Sequence, residues 1–245
     1  MALVRSFQEH GIKVLGSTII GLENHTPDNI AEAIDFAVSQ DTEFHQFMLY
    51  TAVPGTPLYT ELKNKGTLTD PGEDEVADAH GQSWFNHRHP NIPAGEETEL
   101  LQRAFRTDFE KNGPSVLRVT RTLLQGWRKY KNHPDPRIRE RFRWEARDVA
   151  VRMAGVVWAA KRWFRSNPNL RDKVAGMLKE IYHEFGLRSR LAGPPVGRYI
   201  NWVMRREARR LQRGWTYEPP TFYEINSVRS LTTAGPCESE GSIVS

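Results

Sequence analysis

Among 245 residues there is one cysteine, Cys237. That excludes an intrachain disulfide and every zinc or iron–sulfur site that draws several thiolates from this chain. Long hydrophobic runs are missing too. The best apolar candidate, Ala154 to Ala160, sits between Arg152 and Lys161 and falls well short of the roughly 20 residues that span a bilayer. The first ten residues lack the apolar core and small-residue cleavage site of a signal peptide. The sequence therefore reads as cytoplasmic. It holds no phosphate-cradling glycine loop, no dinucleotide fingerprint and no nucleophile triad.

What is plentiful is charge, and it is unevenly spread. The chain carries 34 Lys+Arg and 30 Asp+Glu, a net of +4. Lys111 to Pro220 alone holds 26 basic and 9 acidic residues, leaving 8 basic and 21 acidic elsewhere. An acidic N-terminal part and a basic C-terminal part imply two different surfaces, which either attract each other or serve an anionic partner.

Residues 1–66 read as alternating helix and strand. A helix over 2–10 stops at Gly11. Ile12, Val14, Ile19 and Ile20 mark a strand with Gly16 and Gly21 at its bends. Thr26-Pro27-Asp28 opens a helix, combining a capping hydroxyl with a proline in the first turn. Ile30, Ala33, Ile34, Ala37 and Val38 then repeat at helical spacing through Ser39. Phe44 to Tyr50 reads as a second strand. Pro54-Gly55-Thr56-Pro57 turns into a helix over 58–65 that Gly66 stops. Helices alternating with strands over short connections indicate a parallel sheet. Two strands alone leave edges and undersides uncovered, so this piece needs neighbours.

Residues 67–95 show no periodicity and read as a linker or surface loop. A basic helical extension occupies 96–226, with helical periodicity to about Arg213. Its helices are marked by Leu100 to Phe109, by Val116 to Trp127 after Gly113-Pro114, and by Ile138 to Trp163. Two more are marked by Val174 to Phe185 and by a final stretch after Pro194-Pro195. Residues 227–245 are rich in Ser, Thr, Glu and Gly and read as a disordered tail.

Two segments carry a family resemblance. They are Gly16-Ser-Thr-Ile-Ile-Gly21-Leu22 leading to Thr26-Pro27, and Phe47-Met-Leu-Tyr50-Thr51 leading to Pro54-Gly55-Thr56-Pro57-Leu58-Tyr59. Together they resemble the late strands of the radical S-adenosylmethionine (SAM) barrel, in the branch bearing an N-terminal cobalamin (B12)-binding domain. The helical extension that follows that barrel is similar to Phe109 to Arg118 and Leu124 to Trp127. The resemblance implies an α/β fold: the last βα units of a TIM-like barrel, then a mostly α-helical extension. It places Ile19, Ile20, Gly21, Tyr50 and Thr51 at the barrel mouth as a candidate SAM and substrate pocket. Gly21, having no side chain, would let a ligand approach the strand end.

The family binds a 4Fe–4S cluster through Cys-x-x-x-Cys-x-x-Cys on an early loop, and this chain has no such motif. The resemblance therefore implies the C-terminal portion of an enzyme, inactive alone and holding no catalytic residue of its own. Its partner would be a chain carrying the other barrel half and the cluster, with cobalamin in the missing N-terminal domain.

Two further groups carry chemistry. His87-Arg88-His89, with His80, Asp74, Glu75 and Asp78, offers histidine and carboxylate suited to zinc or iron, but in no compact ligand spacing. Solvated loop histidines are the plainer reading. Arg205, Arg206, Arg209, Arg210 and Arg213, beside Trp202 and Trp215, pair guanidinium groups with aromatics. This supports the alternative function, a non-catalytic helical module with a basic surface for nucleic acid or a partner protein. The plainer reading of that helix is a solvated face with its tryptophan turned inward, and it places nucleic acid behind a partner chain.

Overall fold

The computed structural model describes residues 2–69 and 85–214. In chain order the elements are α1 (Ala2–Glu9), β1 (Leu15–Ile20), α2 (Ile30–Ser39), β2 (Phe44–Leu49) and α3 (Pro57–Asn64). There follow α4 (Glu97–Asn112), α5 (Ser115–Tyr130), α6 (Pro136–Asp148), a π-helical turn (Val149–Met153), α7 (Ala154–Trp163) and α8 (Pro168–Leu211). The described chain is mostly helical with one small parallel sheet. It forms two compact units, one through Asn201 and one from Trp202. None of the described helices is long and apolar enough to cross a membrane.

β1 and β2 pair in parallel from Leu15 opposite Phe44 to Ile20 opposite Leu49. Side chains along a strand alternate between faces, and here the two faces differ sharply. Ile20, Phe47 and Leu49 point into a core with Ile30, Ile34 and Val38 of α2 and Leu100 and Ala104 of α4. The opposite face is bare among the described residues: Leu15 is 59% exposed, Ile19 42% and Phe44 46%, with Ser17 and Gln46 beside them. Parallel sheets bury both faces as a rule. One face has its helices and the other has none among the described residues.

The extension packs around a second core. Leu117 and Leu124 of α5, Val157 of α7, and Val174, Leu178 and Ile181 of α8 form its centre. Glycines let the last two approach closely. A side chain at Gly155 would meet Val196 at 2.3 Å, and one at Gly197 would meet Trp158 at 2.4 Å. The extension is tied to the βα part through Glu43, which is fully buried. Its carboxylate accepts from Gln8 of α1 at 2.9 Å, from the Val14 amide at 2.7 Å and from the Thr122 hydroxyl of α5.

Four expectations need correction. Gly16 lies inside β1 rather than at a bend, and its smallness makes room for Thr42, whose hydroxyl would lie 2.9 Å from a Cβ there. The helix expected from Thr26 begins at Ile30. Thr26 and Asn29 instead close a turn in which each side chain accepts the other's backbone N–H, at 3.3 and 2.8 Å. The surface-loop reading of 67–95 fails for its end, since Phe85, Asn86, His87, His89 and Ile92 are all buried. The final helical stretch starts at Gly186, where φ is 59° and ψ −137°, and Pro194 and Pro195 lie within it. The tail at 227–245 lies outside the described residues.

Candidate functional site

Because the strands are parallel and in register, their C-terminal ends emerge side by side. Gly21 and Leu22 follow β1, and Tyr50, Thr51 and Ala52 follow β2. Over them runs the segment 85–89, fixed at several points. Leu68 and His87 form an antiparallel bridge. Asn86 uses its side-chain amide as a substitute strand partner for Ala52, accepting from its N–H at 3.0 Å and donating to its carbonyl at 2.7 Å.

Histidines lock the β1 end. His25 Nδ1 accepts from the amides of Gly21 at 3.1 Å and Leu22 at 3.2 Å. His89 Nδ1 accepts from the amides of Asn91 and Ile92 at 3.1 and 3.0 Å, so Nε2 carries the proton and donates to the Leu22 carbonyl at 3.1 Å. Phe85 stacks on His89 with centroids 5.2 Å apart, and Tyr50 meets His87 edge-on at 6.1 Å.

These contacts reassign most of the expected pocket. Gly21 does have left-handed backbone, with φ 79°, but its open side is filled by Phe85, whose ring would lie 2.3 Å from a Cβ. Ile20 is fully buried in the helix-side core, one residue and therefore one face away from Ile19. Ile19 stands on the bare face. Thr51 is buried and its hydroxyl donates to the Leu49 carbonyl at 3.2 Å. Tyr50 is half-buried against the core. Gly21, Tyr50 and Thr51 thus share one strand end, and Ile20 does not join them.

Phe85 and Asn86 were missed from sequence, and His89 was singled out only as a metal-ligand candidate. Their signal is the two-residue step Phe85, His87, His89, which is strand spacing in a segment too short to stand out. His87 and His89 are not solvated loop histidines. With both ring nitrogens of His89 engaged, that residue has no lone pair for a metal. Among the described residues no cluster of three or more His, Cys, Asp or Glu could hold an ion. His80, Asp74, Glu75, Asp78, Trp215 and Cys237 lie outside the described residues. One cysteine does not fit a cluster held by three thiolates, wherever Cys237 sits.

Burial lowers the proton affinity of three histidines. For His25 and His87 the second cause is the neighbouring His89, and for His45 it is opposed by Asp108. An unfolded histidine titrates near 6.5, so on acidification the unfolded chain takes up protons before the folded one does. Stability is therefore expected to fall as pH drops below about 6.5, before ordinary carboxylates titrate. Urea midpoints measured from about pH 8 to 5 check this. A flat profile down to about 5 would contradict the neutral placement of these rings, His87 buried and His25 and His45 partly so.

A groove of about 540 Å³ opens beside β1, between Thr18 and Ile19 on the strand and Phe36 and Gln40 on α2. It lies largely against apolar side chains, which suits packing by another element better than capture of a polar molecule. No protein-family model, curated protein or solved structure matches the chain.

Proposed function

We propose that the chain is the C-terminal portion of a cytoplasmic radical SAM enzyme of the B12-binding type. On this reading β1, α2, β2 and α3 are the last βα units of its TIM-like barrel, and α4 to α8 belong to its helical extension. The bare face of β1 and β2 lines the barrel interior, and Ile19, Tyr50 and Thr51 contribute part of the wall of the SAM and substrate pocket. Gly21 contributes backbone only, its open side being taken by Phe85. The 4Fe–4S cluster and SAM would supply the radical chemistry from a part of the barrel that this chain does not provide, and cobalamin would belong to a preceding domain.

One observation carries the reading: a parallel strand pair whose outer face is sealed by helices while its inner face is left apolar and open. A barrel arc has that asymmetry, because its inner residues find partners only across the closed ring. The two sequence motifs end together at the strand termini, which is where a parallel barrel places its chemistry.

The test is anaerobic reconstitution of the purified chain with iron and sulfide, followed by SAM and a reductant. The expected result is no 4Fe–4S absorbance and no 5′-deoxyadenosine. A cluster that forms on this chain and cleaves SAM would overturn the assignment of redox chemistry to another part.

A further inference from the structure

We propose that the arginine-rich helix end from Trp202 to Gly214 is a binding surface for single-stranded nucleic acid, independent of the barrel reading. The segment holds five arginines (Arg205, Arg206, Arg209, Arg210 and Arg213) against one acid, Glu207. Steps of three and four residues connect Trp202, Arg205 and Arg209, and a step of four connects Trp202 to Arg206. These side chains therefore share one helix face. Arg205, Arg206, Arg209 and Arg213 are exposed. Glu207 engages Arg210 at 3.2 Å and Arg206 at 3.9 Å. Arg205, Arg209 and Arg213 have no carboxylate within ion-pair distance among the described residues.

The decisive feature is Trp202. A merely solvated basic face would turn its indole inward, yet Trp202 is 56% exposed. The Arg206 guanidinium lies 5.6 Å from its ring centroid. An outward aromatic ring among guanidinium groups has the two elements that hold a single strand: a platform on which a base stacks, and cations for the flanking phosphates. Arginine suits phosphate through its rigid, paired N–H donors.

A lipid surface fits less well. Membrane-binding helices carry tryptophan within the apolar sector. Here the apolar residues Met204, Ala208 and Leu211 lie on the other side of the helix from Trp202 and the arginines. A duplex also fits less well, because its stacked bases offer no ring face to the indole.

The test uses the full chain and a fluorescein-labelled oligothymidylate, with binding followed by anisotropy over a range of salt. Binding is expected to weaken as salt rises. Trp202→Ala should reduce affinity roughly tenfold or more at fixed salt, with the salt slope preserved. Arg205→Gln with Arg209→Gln should instead flatten the slope by roughly 1.4, at about 0.7 for each phosphate released. All three positions are exposed, so thermal melts of the variants should match the parent. Absent binding, unchanged affinity in both variants, or tighter binding to phosphatidylglycerol vesicles than to the oligonucleotide would each overturn the proposal.

Discussion

Asp108→Ala is expected to destabilise the chain by about 3–5 kcal/mol, the usual consequence of leaving a buried partner charge unpaired. Asp108 and Arg118 are 7% and 4% exposed at their side chains. They meet through two parallel bonds of 3.0 and 2.8 Å across the Gly113-Pro114 turn between α4 and α5. Asn112 extends the network, donating to Asp108 at 2.9 Å and to the Val38 carbonyl at the end of α2 at 2.8 Å. The pair thus ties the extension to the helix that seals the sheet. Removing the carboxylate strands a guanidinium whose Nε already has no acceptor. Replacing both partners by apolar residues of similar size should recover much of the loss, since no charge is then left behind. Urea denaturation of the single and double variants measures this. A single-variant loss below about 1 kcal/mol would place the pair in solvent rather than in the core.

The second large effect concerns Gly21 and Phe85. Gly21→Ala combines a backbone penalty of about 1–2 kcal/mol for left-handed geometry with a steric conflict against the Phe85 ring. Phe85→Ala alone should destabilise by about 3–5 kcal/mol, because it empties a filled core position. The two effects share a cause. The double variant should therefore be more stable than the sum of the singles by about 1–2 kcal/mol, as the new methyl enters space that the ring has vacated. Strict additivity would show that Phe85 does not sit on Gly21, and the strand end would again be open to a ligand.

Much of the local structure could be read from residue chemistry. Pro57 follows a capping Thr56 that accepts from the Tyr59 amide at 3.2 Å. Gly66 and Gly186 end their helices with φ of 65° and 59°. The parallel sheet followed from helices alternating with strands. What escaped was decided by partners distant in sequence. Ile19 and Ile20 are chemically alike, and only the arrival of α2 and α4 on one face separates core from open surface. His87 and His89 look like loop residues until Asn86 and Leu68 give their segment a strand-like seat. Pro194 and Pro195 signal a break, yet packing of Val196 and Gly197 against α7 carries the helix past them. Of the residues the resemblance singled out, Gly21, Tyr50 and Thr51 lie at one strand end because parallel strands in register must end together. Ile20 was misplaced because adjacent strand residues must diverge.

We propose that these strands are the closing arc of a barrel whose thiol ligands lie elsewhere. The most direct measurement is to read the DNA adjoining the first codon in the source genome. The expected result is a Cys-x-x-x-Cys-x-x-Cys motif, followed by further βα units, in frame upstream or in the neighbouring reading frame. An unrelated gene there, with this chain preceded by its own ribosome-binding site, would contradict it.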